Sequence, residues 1–176
     1  MTGKEFLNSL AKGKTDILQQ LLDILAETDS SYCLIGGLAV NAYVEPVVSL
    51  DVDIVVAVDN ILAVANTARS QKMKVEEFLY SVNLSGSGSD LRIQVQTDPR
   101  YQSFIAGATS REILGYKMKV ASLEDVLQGK VWAYMDDTRR RSKRQKDLAD
   151  ISRIIETYPE LTTCLPSKVK DRLQEK

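Results

Sequence analysis

Histidine is absent from all 176 residues. That absence excludes Ser-His-Asp hydrolases, Cys-His proteases, HExxH metalloproteases and any His-ligated zinc site. Acid–base or metal chemistry must therefore use carboxylates, Lys, Tyr or thiols. Thiols are scarce: Cys33 and Cys164 are the only cysteines, and Cys33 lies in the apolar run Tyr-Cys-Leu-Ile. A reduced, buried thiol is expected there rather than a disulfide. No apolar run approaches the ~18 residues of a membrane span, and the N-terminus has no apolar signal-like core. A cytoplasmic protein with no membrane partner is the expectation. There is also no P-loop lysine, no GxGxxG, no internal repeat and no long linker.

What is present reads as an ordinary globular chain, 44% apolar and 27% charged. The length predicts one domain spanning 1–176. The net charge of −1 hides a polarity along the chain. Residues 15–98 carry 4 basic and 12 acidic side chains, whereas residues 99–176 carry 16 basic and 11 acidic. Two solvated surfaces would account for this. So would a cleft with carboxylates for cations on one wall and Lys/Arg for phosphates on the other.

Apolar spacing predicts helices over 4–11 and 14–27, then a buried strand at 32–35 broken by Gly36-Gly37. A short helix over 38–43 stops at Glu45-Pro46. Strand 50–58 is the strongest in the chain, followed by a helix over 61–71 and extended chain over 74–84. A Gly/Ser turn at 85–89 leads to a strand over 91–97. Strand 112–120 comes next, then helices over 123–137 and 141–157 with Ser122 as N-cap, and a short helix near 166–174. The order predicts an α+β fold: a small mixed β-sheet flanked by helices over 1–120, with a helical C-terminal part over 121–176.

Chemistry concentrates in Ser49-Leu50-Asp51-Val52-Asp53. Strand alternation puts Asp51 and Asp53 on one face, roughly 7 Å apart. Either the pair is solvated on an edge strand, or a divalent cation relieves its repulsion and lost hydration. Gly36-Gly37, between strand and helix, lets backbone N–H groups approach an anion closely. Downstream, Lys130 lies within the apolar stripe Leu123, Val126, Leu127, Val131, Tyr134. It either snorkels to water or meets an anion. Asp147 and Asp150 interrupt the apolar face of the next helix, and Lys146 or an arginine of 139–144 would be a simple salt-bridge partner.

Together these residues resemble the DNA polymerase β-type nucleotidyltransferase superfamily, in particular its compact bacterial branch of AbiEii-like abortive-infection toxins. The matches are strand-Gly-Gly-helix at 35–43, Ser49-x-Asp51-x-Asp53, the strand at 91–97, Lys130, and Lys146-Asp147-x-x-Asp150-Ile151. The resemblance implies transfer of a nucleoside monophosphate from an NTP to a hydroxyl acceptor. Mg²⁺ or Mn²⁺ would be held by Asp51, Asp53 and Gln94. Gly36, Gly37, Ser49, Lys130, Asp147 and Asp150 would hold the nucleotide. The acceptor, whether RNA, protein or small molecule, is left open, and the branch implies a toxin–antitoxin role.

Two positions depart from the family pattern. Gln94 stands where a third carboxylate is expected, and a glutamine cannot accept the acceptor's proton. Asp98 has the same strand parity and could substitute as a catalytic carboxylate. Val47-Val48 replaces the basic residue that often precedes the Ser-x-Asp segment. The competing expectation is therefore a degenerate protein that binds nucleotide or a partner without turnover. Finally, Arg139–Lys146 holds six cations in eight residues. It is either a solvated helix start or a site for triphosphate or RNA backbone, and the only nearby rings are Trp132 and Tyr134.

Overall fold

A computed structural model describes residues 1–13 and 15–174. Its architecture is a seven-stranded mixed sheet with helices packed against it, the α+β class expected. The strands are β1 (Tyr32–Ile35), β2 (Asp51–Val56), β3 (Lys74–Glu77), β4 (Ser81–Ser85), β5 (Arg92–Gln96), β6 (Thr109–Ile113) and β7 (Tyr116–Val120). The helices are α1 (Gly3–Leu10), α2 (Ile17–Glu27), α3 (Gly36–Val40), α4 (Ile61–Ser70), α5 (Leu123–Met135), α6 (Arg141–Thr157) and α7 (Ser167–Gln174).

The strand order is β3-β4-β5-β2-β1-β7-β6. β2 pairs parallel with β5 and antiparallel with β1, and β1 pairs parallel with β7. Alternation then sorts the side chains. Val52 and Ile54 stand in register with Ile93 and Val95, which in turn face Leu84 and Val82. All six are buried and share one apolar core with Ile17, Leu18, Leu21, Ile24 and Leu25 of α2. The opposite face of β2 carries Asp51 and Asp53. Cys33 is buried in β1 and Cys164 is exposed, both as free thiols.

Several boundaries differ from the sequence expectation, each for a local reason. The helix expected from residue 14 starts at Ile17, because Asp16 accepts from Gln19 N at 3.0 Å as its N-cap; Lys14 lies outside the described residues. Extended chain 74–84 is two antiparallel strands, folded at an exposed turn, Phe78-Leu79-Tyr80. Strand 112–120 is likewise the end of one strand and all of the next, because Leu114 and Gly115 both take positive φ (52° and 79°). Helix α3 starts earlier than expected, at Gly36, and ends at Val40. Ser122 caps α5 by accepting from Asp125 N at 3.2 Å, as expected. Among the described residues, no helix is long and apolar enough to cross a membrane.

Candidate active site

Three strands bring the polar residues together. Antiparallel pairing puts Ile35 opposite Asp53, so β1 delivers Gly36 directly against that carboxylate. Gly36 has φ +72°, and a Cβ there would lie 2.3 Å from Asp53 Oδ2. Both its conformation and its neighbour require glycine. Gly37 is roomier, since a Cβ there would meet only Asp150 Oδ2, at 3.7 Å. On the other side of β2, parallel pairing sets Asp51 opposite Arg92 and Asp53 opposite Gln94. The row Asp53-Gln94-Asn83-Glu76 then continues across β4 and β3.

These side chains floor a cleft of about 400 Å³, roofed by residues of α5 and α6. Gly36, Gly37, Ser49, Asp51, Asp53, Gln94, Lys130 and Asp147 all line it. Asp98 and Asp150 do not. Asp98 follows the last paired residue of β5 and turns into a 3-10 segment, where it accepts from Arg100 N at 3.0 Å and pairs with its guanidinium at 2.7 Å. Strand parity therefore does not carry Asp98 into the cleft; the chain has left the sheet. The expected stand-in for the third carboxylate is absent from the site, and Asp98 is corrected from a catalytic candidate to a helix cap.

The two aspartates of β2 have different surroundings. Asp51 pairs with Arg92 Nε at 3.1 Å and Lys143 Nζ at 3.2 Å. Burial alone would raise its pKa, but Lys143, Arg92 and Lys146 outweigh burial and hold it below the usual range. The Asp53 carboxylate makes no hydrogen bond or ion pair with any described residue. Burial drives its pKa up, Asp51 adds to the rise, and the more distant Lys130, Arg139 and Lys143 only partly oppose it. A half-buried carboxylate with no charged partner, beside a second one, is a place where a cation could bind. Two carboxylates and the Gln94 amide oxygen line one cleft and are the groups that could hold a hard divalent ion together with substrate oxygens. Among the described residues no cluster holds three acidic or thiol ligands. Asp51 would also have to release Lys143 or Arg92 to use both of its oxygens.

The helical wall is arranged oppositely. Lys130 is buried, yet its Nζ lies 3.0 Å from Asp147 and 2.7 Å from Asp150. Arg139 completes Asp147 at 2.8 Å and Arg153 completes Asp150 at 2.9 Å. Burial would lower the Lys130 pKa, but the two carboxylates overcome it and raise it. The sequence marked these residues for nucleotide contact. Asp150 instead sits behind Gly37 in a salt bridge, while Lys130 and Asp147 reach the cleft already paired. The partner expected for the aspartates was Lys146 or an arginine of 139–144. Arg139 fits that expectation for Asp147, but the shared partner is Lys130, and Lys146 faces the cleft.

Sequence reasoning missed Arg92, Asn83, Glu76, Ser85 and Gln96 as cleft residues. Arg92 and Gln96 could have been found, since they share strand parity with Gln94. The others depend on strand order. Asn83 leaves its side-chain oxygen buried without a hydrogen bond among the described residues, an unsatisfied acceptor at the cleft floor.

The α+β arrangement, a seven-stranded mixed sheet flanked by helices, is a fold shared with nucleotidyltransferases of solved structure. No protein-family model matches the chain, and no curated protein matches it in sequence. Solved structures do. ANT(2")-Ia in complex with adenylyl-2"-tobramycin is similar at a TM-score of 0.61 and 16% identity, over 89% of this chain and 96% of that one. The lincomycin-bound lincosamide antibiotic adenylyltransferase LnuA follows at 0.55 and 14%, over 78% and 95%. An antigenic nucleotidyltransferase-like protein from Paracoccidioides brasiliensis gives 0.50 and 20%, over 85% and 75%.

Proposed function

We propose that this chain is a metal-dependent nucleotidyltransferase that moves a nucleoside monophosphate from an NTP to a hydroxyl acceptor. The observation that carries it is the convergence of Gly36, Asp51, Asp53, Gln94 and Lys130 on one cleft. Asp51 and Asp53 would hold Mg²⁺ or Mn²⁺, which supplies charge neutralisation on the phosphates when bound. Gly36 and Gly37 let the nucleotide lie close to backbone. Lys143, Lys146 and Arg139 face it with positive charge from the opposite wall. The acceptor oxygen forms a bond to the α-phosphorus, the bond to the bridging oxygen breaks, and pyrophosphate leaves. With Asp98 outside the cleft and Gln94 unable to take a proton, Asp51 or Asp53, on the sheet floor beside Gly36, would receive it. The antibiotics named with two structural neighbours make a small hydroxylated molecule one acceptor class, beside RNA and protein. A single domain, read from the chain length, and a cytoplasmic location belong to this proposal, as does an AbiEii-like, toxin–antitoxin affiliation, which rests on the sequence resemblance alone.

The test is labelling of candidate acceptors from an α-³²P NTP with Mg²⁺. It should require the metal and be lost in Asp51→Ala and Asp53→Ala; labelling that survives both substitutions refutes the proposal. Gln94 and the double pairing of Asp51 favour a second reading, a degenerate protein that binds nucleotide without turnover. Gln94→Asp separates the two: activity rising from zero marks degeneration, whereas an active wild type excludes it.

A further inference from the structure

The six cations of 139–146 do not all serve the cleft. Arg139, Lys143 and Lys146 line it. Arg141 and Arg144 point to the other flank of α6, as the 100° advance per helical residue requires. There they line a second groove of about 660 Å³, together with Lys168, Asp171 and Arg172 of α7. Four cations thus meet one carboxylate within the groove lining. Arg144 is fixed by Tyr134 O at 2.7 Å and Asp137 at 3.1 Å. Arg141 and Lys168 are exposed and make no hydrogen bond or ion pair with a described residue. Cations in the first turn of α6 oppose its macrodipole, so helix stability does not account for them.

The groove also narrows the chemistry of what it would bind. None of the exposed large apolar side chains among the described residues lines the groove, so its lining offers nothing for insertion into lipid. Tyr134, the one ring in the lining, is buried and offers no stacking surface. Groove and cleft flank one helix, about 10–12 Å across. A phosphodiester chain spans that distance around the start of α6, and an isolated phosphate does not. We infer that the α6–α7 groove and the basic wall of the cleft form one path for the backbone of a single-stranded nucleic acid, held by charge and without base readout. Only what happens at the cleft end rests on the proposed function, where such a strand would be the acceptor.

The experiment measures anisotropy of a fluorescein-labelled single-stranded RNA against salt, without NTP, for wild type and Arg141→Ala/Lys168→Ala. Both side chains are exposed, so the variant should keep the wild-type melting temperature and the wild-type affinity for NTP. Losing two phosphate contacts should flatten the log–log salt slope by about 1.4 and weaken binding roughly 20-fold at 0.1 M salt. Arg141→Glu/Lys168→Glu should weaken it further. Polyglutamate and phosphatidylglycerol vesicles form the other arms. RNA binding unchanged in both variants, polyglutamate displacing RNA charge for charge, or vesicle binding with the same loss each overturns the inference. If RNA binding behaves as expected but wild type binds no NTP, the proposed function fails and the groove stands. If NTP binds and is transferred but RNA binding is insensitive to both variants, the reverse holds.

Discussion

The sheet floor and the helical wall of the cleft each hold a pair of buried or half-buried aspartates, and they treat them oppositely. In the wall, Asp147 and Asp150 share Lys130 and each has an arginine of its own. On the floor, Asp51 has cations on both oxygens, while Asp53 has no partner and a glycine pressed against it. A buried charge is tolerable when fully paired. Left without a charged partner, it costs free energy that a bound cation would recover. The wall carboxylates are therefore built as framework, and under the proposed function Asp53 is the carboxylate left for a cation.

The largest effect should come from unbalancing the wall. Lys130→Met keeps the apolar stem but strands two carboxylates inside the helix pair. Loss of one partner from a buried charge network costs about 3–5 kcal/mol. Urea unfolding should show that loss, with the midpoint falling and the slope unchanged. A variant as stable as wild type would mean that Arg139 and Arg153 suffice, and the contrast between wall and floor would lose half its basis.

The glycine pair sharpens the contrast at the junction of the two regions. Gly36→Ala sets a methyl group 2.3 Å from Asp53 Oδ2 at a φ of +72°. Left-handed strain and overpacking together predict a cost of about 2–4 kcal/mol. Gly37→Ala meets only ordinary van der Waals contact with Asp150, and should cost less than about 1 kcal/mol. Equal losses in thermal melts of the two variants would show that Asp53 can move away from Gly36 freely.

Local pattern made much of this legible. The Asp51/Asp53 face, the Gly36 turn and the Ser122 cap all follow from residues within a few positions of one another. The two aspartates on α6 were visible as interruptions of an apolar face, and Lys130 as an interruption on α5. Their pairing was not, because it depends on how two helices dock. Asn83 and Glu76 reached the cleft only through the order β3-β4-β5-β2, which strand propensity does not encode. Asp98 failed for a different reason. Parity holds only while the chain stays in the sheet, and Asp98-Pro99 starts a helical turn immediately after β5. The fold class followed from the alternation of elements; the β3–β4 and β6–β7 hairpins inside it did not, since only Gly115 marked one turn and no glycine or proline marked the other.

Asp53 itself gives the subtlest prediction, because its effect has the unusual sign. Its folded-state pKa is raised, first by burial and then by Asp51. Between the unfolded carboxylate value, about 3.9, and that higher folded value, the native state binds more protons than the unfolded chain. Stability contributed through Asp53 therefore falls as pH rises across this window, and the charged form remains a burden above it. Asp51, with its pKa lowered, contributes the opposite slope below the normal carboxylate range, so the two must be separated by difference. Asp53→Asn removes the burden and retains the shape. The variant should melt higher than wild type at pH 7, and the gap should close as pH falls toward 4. Saturating Mg²⁺ should narrow the same gap at pH 7 from the other side, by stabilising wild type and leaving the variant unmoved. A variant that melts lower than wild type at every pH would mean that Asp53 has a stabilising partner after all, and the floor would then be built like the wall.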